Sequence, residues 1–270
     1  MGNKEESLNR LFRAFPENSL KNRIRSVFYN IIQNSVKVHY RNGFVAHVHD
    51  SSIRFPNMRI VLPDLETCIN GYLARYEIRR GDVVVDGGAY TGTFAMIAAN
   101  MVGDEGKVIA FEPDTENHKK LLANLQLNDL KNVIVIPKGL WSSDTKIPFR
   151  DAHNPGSSFI FDEPCGDSVI DLPVVSLDRE LDRLGIEKVD FIKMDVEGAE
   201  VEAIRGAKNI LAKSDARLAI ASYHVVGGQE TSIELEKLLD DMGYQADTSY
   251  SVHKTTYASK RQSEKTKAAA

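Results

Sequence analysis

The chain has 270 residues, 42% of them hydrophobic and 27% charged, with a formal net charge of −4. This is close to the average composition of a globular protein, and the length suits one large α/β unit or two small ones. A pI near 6.0 gives no general electrostatic pull toward nucleic acid.

No apolar stretch approaches the ~20 residues that span a bilayer, so no transmembrane segment is expected. The two cysteines, Cys68 and Cys165, form no C-x-x-C unit, which fits a reduced, cytoplasmic setting. Residues 1–41 carry eight Lys/Arg and three Asp/Glu, a local net charge of +5 inside an acidic chain. Within them Ile24, Val27, Phe28, Ile31 and Ile32 recur at helical spacing, which predicts an amphipathic helix. Such a helix is expected to pack on the domain or on a second copy, giving a homo-oligomer. A membrane-surface helix or a cover for the active site are the alternatives.

Residues 44–62 alternate like short strands. His47, His49 and Asp50 raise a metal reading, but the ligand set is incomplete and exposed hairpin residues are the expectation. Pro63-Asp64 opens a helix predicted to run to about Glu77, with Leu65, Ile69, Tyr72, Leu73 and Tyr76 on one side. Glu66 reads as an exposed first-turn acid, with the cofactor cleft as the alternative.

The chain is organised around residues 83–94, VVVDGGAYTGTF. Val83, Val84 and Val85 suit a parallel strand buried on both faces. Gly87, Gly88 and Gly92 permit a tight turn and close approach to a ligand, and Thr93 onward reads as a helix. Strand, glycine turn and helix is the nucleotide-site arrangement of open α/β sheets. The G-x-G-x-x-G and G-x-x-x-x-G-K-[ST] phosphate motifs are both absent. Instead Asp86 ends the strand in D-x-G-x-x-x-G, and an acid there suits a ligand with an ammonium group and no phosphate. Tyr90 reads as an exposed turn residue, with a place against a sulfonium as the alternative.

The βα alternation then repeats. Residues 107–111 are a strand ending in Glu112, twenty residues beyond Gly92, the usual distance for a ribose-binding acid; a turn acid before the next helix is the alternative. Residues 132–137 are a third strand, after which Leu140 or Trp141 is an apolar wall for an adenine, or core. Residues 144–175 interrupt the rhythm with short strands beside the sheet; Ser157 and Ser158 line a substrate pocket or simply make a turn.

Residues 189–195 are the fourth strand, in which Lys193 needs a carboxylate partner. Glu197 and Glu200 open the next helix, where its dipole favours acids. Residues 217–223 are the fifth strand, ended by His224, and residues 244–248 and 255–258 supply the last two. The tail 259–270 reads as disordered.

The stretch IKMDVEGAE, with GDVVVDGGAYTG, FEP and SLD upstream, resembles the FkbM-type family of methyltransferases that use S-adenosylmethionine (SAM). The resemblance spans about residues 65–260. It implies a class I SAM-methyltransferase fold: a seven-stranded, Rossmann-like, mostly parallel α/β sheet with helices on both faces and its last strand antiparallel. It further implies methyl transfer, usually to a hydroxyl oxygen, with a small-molecule or glycan acceptor. The cofactor loop falls on Asp86, Gly88 and Gly92, the ribose acid on Glu112, and the acidic motif after strand four on Asp195, Glu197 and Glu200. Many relatives carry an acid before the histidine after strand five, where this chain has Tyr223.

The sequence reading is thus an appendage at 1–50, a methyltransferase domain at 51–258 and a tail at 259–270. SAM would be held by Asp86, Gly88, Tyr90, Gly92, Glu112, Leu140 and Asp195. Strands four and five are neighbours in this fold, so Asp195 and His224 end side by side. Since histidine titrates near neutrality, His224 is the expected general base, with Asp195 orienting the acceptor. A divalent ion at Asp195 with Glu197 or His224 is left open. A dehydrogenase, a nucleic-acid methyltransferase and a non-catalytic SAM-binding regulator are the rival readings.

Overall fold

The computed structural model describes residues 19–32, 36–40, 43–48, 51–56, 65–150, 158–159 and 169–261. They fall into two units, Met1–Glu66 and Thr67–Ala270.

In the first unit a helix, Ser19–Ile32, precedes an antiparallel meander of β1 (Lys37–Tyr40), β2 (Phe44–Val48) and β3 (Ser51–Phe55). The Asn30 side chain ties helix to strand, donating to the Val38 carbonyl at 2.8 Å and accepting from its N–H at 2.7 Å. That anchorage turns Ser26 and Tyr29 inward and leaves Leu20, Ile24, Val27, Phe28 and Ile31 exposed. The predicted helix therefore forms, but its apolar stripe lies on the outer side. His47 makes a 2.9 Å hydrogen bond with the Ser52 hydroxyl; His49 and Asp50 lie outside the described residues.

The second unit begins with a π-helix, Thr67–Tyr72, closed by the wide Leu73 N–H to Cys68 C=O bond at 3.0 Å. The predicted helix was to run to about Glu77. It stops at Tyr72, where the Tyr257 hydroxyl donates to the Gly71 carbonyl at 2.6 Å and the Tyr72 hydroxyl to Asp195. The start of that helix, at Pro63-Asp64, lies outside the described residues.

The βα alternation follows as read. It runs β4 (Val83–Gly87), helix Thr93–Val102, β5 (Lys107–Phe111), helix Thr115–Leu127 and β6 (Val133–Ile136). Asp114 caps its helix, its carboxylate accepting from the N–H groups of Glu116 and Asn117, as an N-cap acid should. Four short strands come next: β7 (Gly139–Leu140), β8 (Thr145–Arg150), β9 (Ser158–Phe159) and β10 (Val169–Val175). They pair in the order β7-β10-β8-β9 as a sheet of their own, the interruption expected there. Ser157 and Cys165 lie outside the described residues.

The chain returns to the main sheet with helix Leu177–Arg183, β11 (Phe191–Met194), helices Glu200–Arg205 and Lys208–Lys213, and β12 (Arg217–Ala221). A two-residue hairpin, β13 (Val225–Val226) with β14 (Gln229–Glu230), leads to helix Thr231–Asp241, then β15 (Tyr244–Tyr250) and β16 (Lys254–Lys260). β16 runs two residues further than the sequence pattern suggested, into the segment read as a tail; residues 262–270 are outside the description.

The seven-stranded order is β15-β16-β12-β11-β4-β5-β6, and β16 alone runs against the rest. Apolar side chains of the central strands, among them Val84, Val85, Ile109, Ile192, Leu218 and Ile220, are fully buried. That matches a sheet covered by helices on both faces. The chain order of the strands reverses between β4 and β11, so the carboxyl ends of these two parallel strands flank the crevice where open α/β sheets take ligands.

Candidate functional site

The turn after β4 is shaped by backbone bonds. Gly88 and Ala89 N–H groups both donate to the Phe111 carbonyl, at 3.0 and 2.9 Å, clamping the turn onto the end of β5. Gly88 has φ +71, and a Cβ there would lie 1.8 Å from the Asp195 carbonyl oxygen. Only glycine fits. The loop after β4 and the chain leaving β11 are in this way locked together, with the Asp195 N–H donating to the Gly87 carbonyl at 3.0 Å.

Asp86 lies in β4 directly behind this turn, and its carboxylate is fully buried. Lys193 from β11 sits 2.9 Å away and is itself nearly buried. The same ammonium donates to the carbonyls of Gly88 at 2.7 Å and Gly87 at 3.2 Å, and lies over the Tyr72 ring at 5.3 Å. Burial works against the ammonium, but Asp86 and Asp195 outweigh it and raise the Lys193 pKa. The carboxylate partner expected for Lys193 is therefore Asp86. It reaches the loop through Lys193, whose ammonium also holds the loop carbonyls.

Glu112 follows β5 and reaches back to the turn. Its oxygens accept from the Tyr90 N–H at 2.7 Å and the Asp114 N–H at 2.9 Å. Burial raises its pKa to about 7 against the opposing pull of those two N–H groups. Tyr90 is held in the left-handed region, φ 51, and Gly92 starts the following helix at φ 88. Leu140 is fully buried in the core. Its neighbour Trp141 is the partly exposed side chain of the two.

Asp195 lies at the centre of a second group of side chains. Tyr72 donates to its Oδ2 at 2.7 Å, and the Tyr223 hydroxyl is 3.5 Å from Oδ1. His224 Nε2 stands 3.7 Å from Asp195 Oδ1 and 3.5 Å from Glu197 Oε2. Its Nδ1 lies 2.9 Å from Oε1 of Glu200. Glu200 is fully buried, and the same oxygen accepts from the N–H groups of Val196 and Gly198. The two acids read as helix-dipole partners thus have separate tasks. Glu200 closes the turn and backs the imidazole, while Glu197, at φ 54, faces Nε2.

The expectation that His224 titrates near neutrality fails here. Burial lowers its pKa, but Glu197, Glu200 and Asp195 together overcome that and raise it to about 10. An imidazole so placed holds its proton at neutral pH.

Tyr72, Tyr223 and His253 were not singled out as site residues by sequence. The His253 ring packs edge-on against Tyr72 and Tyr223, centroids 4.9 and 5.6 Å apart, and burial lowers its pKa. Tyr223 had one signal, its position beside His224 where relatives carry an acid; its hydroxyl turns to Asp195. Tyr72 read as core and is buried, yet its hydroxyl is the donor closest to Asp195.

Comparison with known proteins adds to this geometry. The profile of the methyltransferase FkbM domain matches residues 86–246, a span from Asp86 through His224. Methyltransferase sdnD of Sordaria araneosa is 29% identical over 192 residues, which cover 60% of this chain and 73% of that protein. The crystal structure of Methyltransferase FkbM from Methylobacillus flagellatus KT aligns with a TM-score of 0.55 at 21% identity, covering 71% of this chain and 47% of that one. The chain thus spans just under half the length of that structure, and the likeness is one of fold, that of class I SAM methyltransferases.

Proposed function

This chain belongs to the FkbM family of methyltransferases, and from that premise we propose that it moves the methyl group of SAM to a hydroxyl oxygen of a small molecule, sugar or glycoconjugate. The observation that carries the reading is the seating of Asp195. Its backbone is pressed against Gly88, and its carboxylate faces Tyr72, Tyr223 and His224. One residue thereby joins the cofactor loop to the only cluster of metal-ligand-type side chains among the described residues.

On this reading SAM lies across the ends of β4 and β5. Glu112 accepts from the ribose hydroxyls, exchanging its backbone partners for them in part. The turn from Gly88 to Gly92 receives the methionine end, with Tyr90 beside it. Asp86 contributes by fixing that turn through Lys193, and Leu140 by closing the core beneath it, with Trp141 next to the adenine. In the transfer, an oxygen lone pair forms the new C–O bond as the C–S bond breaks, and the sulfonium leaves as a neutral thioether. The protein's main contribution is alignment of donor and acceptor. With no ion bound His224 is protonated at neutral pH and has no free lone pair, so the hydroxyl proton passes to the Asp195 carboxylate, which the Tyr72 hydroxyl holds in place.

The test is turnover of labelled SAM with hydroxylated acceptors, set beside SAM binding by calorimetry. Asp195→Asn is expected to keep SAM affinity within about threefold (~0.65 kcal/mol) while turnover falls at least tenfold, the contribution of one positioned base. Label recovered on nitrogen or carbon would replace the hydroxyl acceptor. Failure to bind SAM would remove the reading altogether.

A further inference from the structure

The group formed by Asp195, Glu197 and His224 presents one ligand atom from each residue, all within 4.8 Å of one another. The two separations from Nε2, 3.5 and 3.7 Å, are too long for good hydrogen bonds. They are, however, the spacing of two ligands on one ion, since metal bonds of ~2.0–2.2 Å to nitrogen and oxygen place neighbouring ligands ~3–4 Å apart. Nε2 is shielded from water and has no hydrogen-bond partner among the described residues.

Three further observations set this group apart from a chance gathering of acids. The imidazole is backed at Nδ1 by a carboxylate with no solvent exposure, Glu200, at 2.9 Å. A carboxylate behind a histidine is the usual means of aiming the other ring nitrogen at a metal. Glu197 adopts φ 54, a backbone state that costs a non-glycine residue and persists at sites where a side chain must be aimed. Last, three carboxylates meet a single imidazole, while the Lys193 ammonium is bound to Asp86 and two loop carbonyls. Asp195 keeps Oδ1 turned to the group because Tyr72 takes Oδ2.

We infer that Asp195, Glu197 and His224 bind one divalent cation, which displaces the proton that His224 Nε2 carries without it, with Glu200 as the positioning residue behind His224. One nitrogen and two carboxylate oxygens suit Mn²⁺ or Zn²⁺. Three protein ligands leave coordination positions for outside oxygens. Only the ion's task rests on the function proposed above: there it would help to hold the acceptor hydroxyl beside the methyl donor.

The experiment is calorimetry of the chelator-treated full chain with Mn²⁺ and separately with Zn²⁺, without SAM or acceptor, and with Mn²⁺ electron paramagnetic resonance as the second readout. One saturable site per chain is expected. Glu197→Gln, on a partly exposed side chain, is expected to weaken it at least tenfold with thermal stability unchanged. Glu200→Gln is expected to weaken it by 10–100-fold, the range for such backing groups, and to alter the Mn²⁺ spectrum. Absence of saturable binding of both ions would overturn the site, as would wild-type affinity in Glu197→Gln. Calorimetry with SAM in the presence of chelator separates this outcome from failure of the methyltransferase reading.

Discussion

The ammonium of Lys193 lies 2.9 Å from the Asp86 carboxylate with both side chains almost wholly out of solvent. Two charges in adjacent parallel strands, at paired positions of β4 and β11, are costly to bury, and removing one leaves the other uncompensated. Asp86→Ala is therefore expected to destabilise the fold by about 3–5 kcal/mol and to loosen the turn whose carbonyls Lys193 holds. Urea denaturation checks this. A variant within about 1 kcal/mol of wild type, by the uncertainty of such extrapolations, would show that the pair does not carry the turn.

Gly88→Ala tests the contact between turn and Asp195. The added Cβ would meet the Asp195 carbonyl at 1.8 Å, whereas Gly185, at a similar φ of +67, has open space around it. Gly185→Ala pays only for the left-handed backbone, about 1 kcal/mol. Gly88→Ala must also part the turn from β11, so its loss of stability is expected to be larger, with SAM affinity reduced at least tenfold (~1.4 kcal/mol). Thermal melts of the two variants side by side, and SAM calorimetry, give the comparison. Equal melting temperatures would argue that the turn relaxes.

Glu112 gives a pH dependence whose sign is opposite to that of an ordinary salt-bridged acid. Burial raises its pKa from 4.5 to about 7 in the folded chain. Between those values the folded state holds more protons than the unfolded one, so stability falls as pH rises across that window and levels off above about 7. The change amounts to at most about 3 kcal/mol. Glu112→Gln is expected to lack this loss when melts are compared from pH 5 to 8. If ribose hydroxyls donate to the ionised carboxylate, SAM affinity of wild type should rise through pH 7 and that of Glu112→Gln should stay flat. A wild-type melting curve that rises with pH in step with the variant's would refute the assignment.

The parts legible in the sequence were those written in local pattern. β-branched runs gave the central strands, D-x-G-x-x-x-G gave the turn after β4, and a lysine inside a buried strand announced its need for a carboxylate. What the pattern did not carry were contacts made across long separations. Tyr72 reads as core because it is buried; its hydroxyl meets Asp195 only because a π-helix ends against β16. The charge state of His224 escaped notice for the same reason. Glu200 sits in a helix-start pattern that dipole chemistry already explains, and nothing local shows that it lies under an imidazole 24 residues away. The exposed stripe of the first helix marks a further limit, because periodicity shows which residues share a face, and not what covers that face.

Tyr72 allows the two halves of the site to be separated. Its hydroxyl is buried, donates to Asp195 Oδ2 at 2.7 Å, and has its pKa raised well above the ordinary value by burial and by Asp195, so it stays a donor at all working pH values. Tyr72→Phe keeps the ring, and with it the contacts to Phe94 and His253, while removing one hydrogen bond to a charged group, worth about 1.5–3 kcal/mol. Freed of that donor, the Asp195 carboxylate can rotate out of line with the acceptor, so kcat is expected to fall about tenfold or more with SAM affinity unchanged. Tyr223→Phe removes a hydroxyl at 3.5 Å, near the limit of a hydrogen bond, and is expected to cost less. Steady-state kinetics on both variants decides the order. If Tyr223→Phe proves the more damaging, its hydroxyl touches the acceptor itself, and Asp195 is aimed by a different neighbour.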